Sequence, residues 1–122
     1  MSNEITLTKA EFKLDLEAAS ISVLDFVPER ITPPIVIINS SSPYLQPSSL
    51  GNEYELNLTL IVVASTATNK KATENLDQAI HDVLNAMPRY ARVLQVAEPY
   101  ELQTNNAGYL SANISVQLEI TI

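Results

Sequence analysis

Two stretches of this chain alternate apolar and polar residues with a period of two, the pattern of a strand with one buried face. In the longer one, Leu110, Ala112, Ile114, Val116, Leu118, Ile120 and Ile122 alternate with Ser111, Asn113, Ser115, Gln117, Glu119 and Thr121. At ~3.3 Å per residue this predicts a strand about 40 Å long. The other, Glu53 to Leu60, places Tyr54, Leu56, Leu58 and Leu60 on one face and Glu53, Glu55, Asn57 and Thr59 on the other. It then runs into Ile61-Val62-Val63, where both faces become apolar.

A second period appears between them. Leu76, Ala79, Ile80, Val83, Leu84 and Met87 recur at helical spacing and predict an amphipathic helix over 70–87, closed by Pro88. Near the N-terminus, Thr8-Lys9-Ala10-Glu11 matches a capping box and predicts a helix over 9–19. That helix has Phe12, Leu16 and Ala19 on one face and Leu14 and Ala18 beside it.

Shorter apolar runs fill the remainder. Ile21 to Val27 reads as a strand stopped by Pro28, and Ile35 to Ile38 as a short strand buried on both faces. Arg92 to Ala97 reads as a further strand, ended or bent by Pro99. Five of the seven prolines fall between residues 28 and 47, where each fixes φ and removes a donor, so no helix runs there. Residues 39–52 carry the Asn, Ser, Pro, Gln and Gly composition of a loop.

The order helix, strand, strand, strand, helix, strand, strand predicts one α+β domain over residues 1–122. Its two helices pack on one face of a mostly antiparallel, mixed sheet of about five strands, with an extended Pro/Ser-rich region at about 28–52. The outward positions of the two long strands are small, mostly uncharged and almost free of lysine. Such a face is either wetted or meets another protein.

Composition removes most chemistry. The chain has no cysteine, which excludes disulfides, thiolate nucleophiles and Cys-bound zinc. Its two glycines, Gly51 and Gly108, are too far apart for a phosphate cradle. Seven basic against fourteen acidic residues give a net charge of −7, a poor basis for gripping nucleic acid. No run approaches the eighteen or so apolar residues that cross a bilayer, and Met1-Ser2-Asn3-Glu4 lacks the features of a signal peptide. The expectation is a soluble protein folded in a cytoplasm.

The remaining reactive residues are isolated. His81 stands one turn after Asp77, but Glu74 and Asp82 lie at other angles and no third metal ligand joins them. Ser40-Ser41-Ser42 lacks the glycine pattern of a nucleophile elbow and a second histidine. The pairs Glu53/Glu55 and Asp15/Glu17 show nothing that would raise a carboxyl pKa. A non-enzymatic protein without cofactor or metal is expected.

Taken in order, Val27-Pro28-Glu29-Arg30-Ile31-Thr32-Pro33-Pro34, Ser42-Pro43-Tyr44-Leu45, the strand from Glu53, Ala72-Thr73-Glu74-Asn75-Leu76-Asp77, Pro99-Tyr100-Glu101-Leu102 and Tyr109-Leu110 give the chain a family likeness. It resembles the tail terminator proteins of long-tailed bacteriophages with flexible, non-contractile tails. The resemblance covers nearly the whole chain and implies a virion structural protein assembled in the host cytoplasm. Six copies would form a ring at the head-proximal end of the tail, stop polymerisation of the tail tube protein and present a surface to the head-completion proteins. DNA would pass through the channel without specific binding, and no membrane is involved.

Arg30, Pro33, Tyr44 and Leu45 are the candidates for the subunit and partner interface, because Tyr and Arg anchor interfaces and proline lowers the ordering cost of an extended arm. Equally open is that Tyr44 and Leu45 pin the loop to their own core. Two other roles fit the same features: a head-tail connector or tube subunit of the same particle, and a cellular module for protein interaction.

Overall fold

The structure is a computed structural model that describes residues 3–26, 31–48, 51–65, 70–103 and 108–122. Its frame is a ladder between the two alternating strands. β3 (Glu53–Ser65) and β6 (Gly108–Thr121) run antiparallel from Glu53↔Thr121 to Ser65↔Leu110, with Leu56↔Leu118, Leu58↔Val116 and Leu60↔Ile114 on the helix side. These six side chains are fully buried. At about 1.5–3 kcal/mol for each buried aliphatic side chain, this row is a major source of the fold's stability.

Around the ladder the chain adds α1 (Glu4–Glu17), β1 (Val23–Leu24), β2 (Ile35–Pro47), α2 (Lys70–Asn85), β4 (Ala91–Val96) and β5 (Tyr100–Gln103). The strand order is β1-β2-β3-β6-β4, with β5 also paired to β6. Among the described residues only β1 and β2 pair in parallel, and the fold is α+β with a mixed, mostly antiparallel, open sheet. The sixth strand, β5, was not expected. It follows Pro99 and turns back onto β6 through Gln103↔Gly108, so that β4 and β5 share one edge of β6 end to end.

Both helices lie on the same face. Phe12 and Leu16 of α1, with Leu76 and Val83 of α2, enter a core that also takes Val36 and Ile38 of β2 and the inward residues of β3 and β6. The opposite face carries a smaller cluster at one end, built from Ile31, Ile37, Ile61, Val63 and Tyr109. This explains why Ile35–Ile38 and Ile61–Val63 are apolar on both faces.

Several boundaries differ from the sequence pattern. The first helix starts a turn earlier than Thr8, because Asn3 is the cap: its Oδ1 accepts from the Thr6 amide at 2.8 Å, and Glu4 then occupies the first turn, where a carboxylate suits the dipole. It also stops earlier, with Ala18 as C-cap and Ser20 at φ 65° in place of the usual glycine, so Ala19 is exposed. Leu14 and Leu84 face solvent, 64% and 38% exposed. The strand expected over 21–27 is reduced to two residues, with Asp25 and Phe26 bending away; Val27 and Pro28 lie outside the described residues.

The largest difference is in β2. Residues 39–47 have loop composition yet pair with β3, through Asn39↔Thr59, Ser40↔Leu58 and then Leu45↔Leu56. Backbone pairing to a well-anchored neighbour has overridden side-chain propensity there.

Replacing Phe12 with Ala is expected to destabilise the protein by about 3–5 kcal/mol, read from chemical denaturation midpoints, since the ring is fully buried under α1. A loss below about 1 kcal/mol would mean that α1 is not part of the cooperative core.

Candidate functional site

Between Ser40 and Leu45 the β2–β3 register shifts, and the intervening residues bulge from the ladder. Asn57 holds this bulge. It stands at an outward position of β3, yet is only 6% exposed. Its Nδ2 donates to the Pro43 carbonyl at 2.8 Å and to Gln46 Oε1 at 2.9 Å, while its Oδ1 accepts from Gln117 Nε2 at 3.1 Å. One amide thus ties three adjacent strands together, and both of its donor hydrogens and its oxygen are engaged.

Tyr44 projects from the bulge, 36% exposed. Its hydroxyl accepts from Lys9 Nζ of α1 at 3.2 Å, and the same ammonium lies 5.5 Å from the ring centroid. Leu45, the next residue, is half-buried and packs on the subunit's own core. Pro33 is half-buried just before β2, at the end that pairs with Val63, whereas Leu45 pairs with Leu56. Seven residue steps of β3 at ~3.3 Å separate the two ends by about 23 Å. Tyr44 and Leu45 are therefore neighbours facing different surroundings, Pro33 is remote from both, and Arg30 lies outside the described residues.

The bulge forms one wall of a shallow trough on the outer face of the sheet. A volume of ≈ 370 Å³ lies over Asn57, Ser115 and Gln117, between Ser41–Pro43 on one side and Leu94–Gln95 of β4 on the other. A neighbouring depression of ≈ 310 Å³ is lined by Glu55, Arg89, Arg92 and Glu119 among others. β4 has its own bulge, where Val93↔Val116 is followed by Gln95↔Ser115 and leaves Leu94 as the extra residue. The trough is lined by amides and hydroxyls with some apolar side chains, and the neighbouring depression by mixed charges, a surface suited to polar contact with another one.

The isolated reactive residues stay isolated. His81 Nδ1 lies 3.7 Å from Asp82 Oδ1, both side chains strongly exposed on α2, in the layer away from the trough. Among the described residues, no group of three or more His, Cys, Asp or Glu is placed to hold a metal ion. A small cleft of ≈ 130 Å³ between α2 and the start of β2 is lined largely by Ile21, Ile35, Val36, Val62 and Val83, with Asp82 at its margin.

Tyrosine hydroxyls tie the periphery. Tyr109 donates to the Ile31 carbonyl at 3.2 Å, Tyr100 to Asn113 Oδ1 at 2.8 Å, and Tyr90 to Asp15 of α1. Burial, and then the hydrogen bond to the Asp15 carboxylate, push the Tyr90 phenol well above its usual value, and burial also raises Tyr100.

Sequence reasoning missed the Asn57 network. Asn57 and Gln117 are outward residues of two alternating strands and are directly paired, but that register exists only after β3 meets β6.

No protein-family model matches the chain, and no curated protein matches it in sequence.

Two measurements follow from this geometry. Asn57→Ala is expected to cost about 1–3 kcal/mol in denaturation experiments and to speed amide exchange across residues 41–46, because it leaves Pro43, Gln46 and Gln117 without their shared partner; unchanged exchange would remove its clamping role. A phenol raised in the folded state favours folding below the unfolded value of about 10, and that contribution is lost as pH climbs above it. Stability is thus expected to fall above pH ~10, less steeply in Tyr90→Phe than in the wild type.

Proposed function

We propose that this protein is a phage structural protein, a tail terminator that closes the head-proximal end of a long, non-contractile tail. The observation that carries this reading is the resemblance itself, which runs in order through the proline segment, β3, the start of α2, β5 and β6. The role is one of shape. A ring fitted to the last tier of a tube needs rigid subunits with broad polar faces, and the six-stranded sheet with its outer trough supplies such a face.

The charge supports the same reading. About six copies at −7 each sum to about −42, and an acidic lumen repels the phosphate backbone, so a genome slides through without being held. The partners are other copies of the chain, the tail tube protein and the head-completion proteins. Of the residues first considered for these contacts, Tyr44 is on the surface of the β2 bulge, and Leu45 serves mainly to seat it.

Purified protein, weighed by light scattering over a wide concentration range and imaged by electron microscopy, is expected to form closed rings of about six copies. Added to assembling tail tube protein, it should arrest tubes at a shorter mean length. Spontaneous growth into long tubes would make it a tube subunit instead. Tube lengths unaffected by a molar excess would sink the terminator reading and leave the head-tail connector and the cellular interaction module.

A further inference from the structure

The three carboxamides on the outer face form a chain whose direction is set at one end. A carbonyl oxygen only accepts, so the Pro43 carbonyl, 2.8 Å from Asn57 Nδ2, fixes the Asn57 nitrogen on the β2 side and its oxygen on the β6 side. Every later choice follows from that one. The second hydrogen of Asn57 Nδ2 goes to Gln46 Oε1, which leaves both hydrogens of Gln46 Nε2 free, and Asn57 Oδ1 takes Gln117 Nε2, which leaves Gln117 Oε1 free. The network therefore ends in a donor on β2 and an acceptor on β6.

Both ends are open. Among the described residues neither Gln46 Nε2 nor Gln117 Oε1 has another hydrogen-bond partner, and no buried side-chain nitrogen or oxygen lacks one, so both atoms reach the surface. Both glutamines line the trough, on strands that lie about 10 Å apart with β3 and Asn57 between them. The rest of the lining selects the ligand class. None of its residues carries a charge, so an ionic group would give up its water without a counter-charge, and none is aromatic, so a sugar ring has no platform to stack on. A peptide group is uncharged and carries its carbonyl and its N–H on opposite sides. An extended segment laid along β3 points these groups to left and right, toward Gln46 on one side and Gln117 on the other.

We propose that the outer trough binds an extended, uncharged peptide segment of a partner protein, whose carbonyl accepts from Gln46 Nε2 and whose N–H donates to Gln117 Oε1. Asn57 sets the polarity of the pair from the floor. Leu94, the extra residue of the β4 bulge and 47% exposed, and Pro43 on the opposite wall give the segment's side chains apolar contact. The two bulges that interrupt the ladder thus become the walls of one site. The inference holds whether or not copies of the chain close into a ring.

The probe is the blocked, uncharged peptide acetyl-Ala-Ser-Leu-Ser-Ala-amide, titrated at high salt into isotope-labelled protein and followed by nuclear magnetic resonance. The side-chain amide signals of Gln46, Asn57 and Gln117 are expected to shift and to saturate in the millimolar range. Gln46→Glu keeps an oxygen for Asn57 Nδ2 and removes the hydrogens that face the trough, while the salt screens the new carboxylate from Glu55, its cross-strand partner. With folding checked by circular dichroism, it should weaken peptide binding at least about tenfold. Leu94→Ser, at an exposed position outside the network, should weaken it less. Shifts that never saturate, an unchanged affinity in Gln46→Glu, or saturation by maltotriose and not by the peptide would overturn the proposal. Shifts of the same three signals on raising the protein concentration alone would give the trough to a second copy and overturn a separate partner.

Discussion

Everything in this molecule is hung on the pairing of β3 with β6. The two strands supply twelve matched residue pairs, and their inward leucines, isoleucine and valine are sealed from solvent. β2 is added on one side and β4 with β5 on the other, each in the register that the central pair dictates. The helices then have only one apolar face large enough to cover. Without that ladder neither the bulge at Asn57 nor the break in β4 would have a fixed strand to be measured against.

The sequence was most readable where one physical rule acted alone. Strict alternation located β3 and β6 to within about two residues, and the helical period of Leu76, Ala79, Ile80 and Val83 located α2. It was least readable where two rules competed. Thr8 and Glu11 form a good capping box on paper, but Asn3 caps first and the threonine becomes interior. Ser40 to Pro47 has the composition of a loop, yet hydrogen bonding to β3 makes it a strand. In α1 the sequence pattern places Phe12 and Leu16 on the buried face, as they are, whereas Leu14 and Ala18, expected beside that face, are exposed.

Of the candidate interface, the sequence revealed residue types and not their grouping. Tyr44 and Leu45 are adjacent, but Tyr44 lies within the register shift of β2 with its hydroxyl against Lys9 of α1, while Leu45 packs on the core. Pro33 belongs to the other end of β2. The residue that organises the outer face, Asn57, gave no signal beyond being one more polar position on an alternating strand. Burial of an amide is tolerable only when its hydrogen bonds are complete, and completeness depends on two strands distant in sequence.

That distance also bears on how the chain reaches its fold. Ser65 and Leu110, the nearest partners in the central ladder, are 45 positions apart, and Glu53 and Thr121 are 68 apart. The β2–β3 and β5–β6 pairings are local and can close early, but neither makes the core. The decisive event joins the two local pairs across the α2–β4 segment, after the entropy of closing that loop has been met. A topology dominated by such long-range contacts places folding on the millisecond-to-second scale. For the duration of that search, the apolar faces of β3 and β6 stand open to water and to each other's counterparts on neighbouring chains.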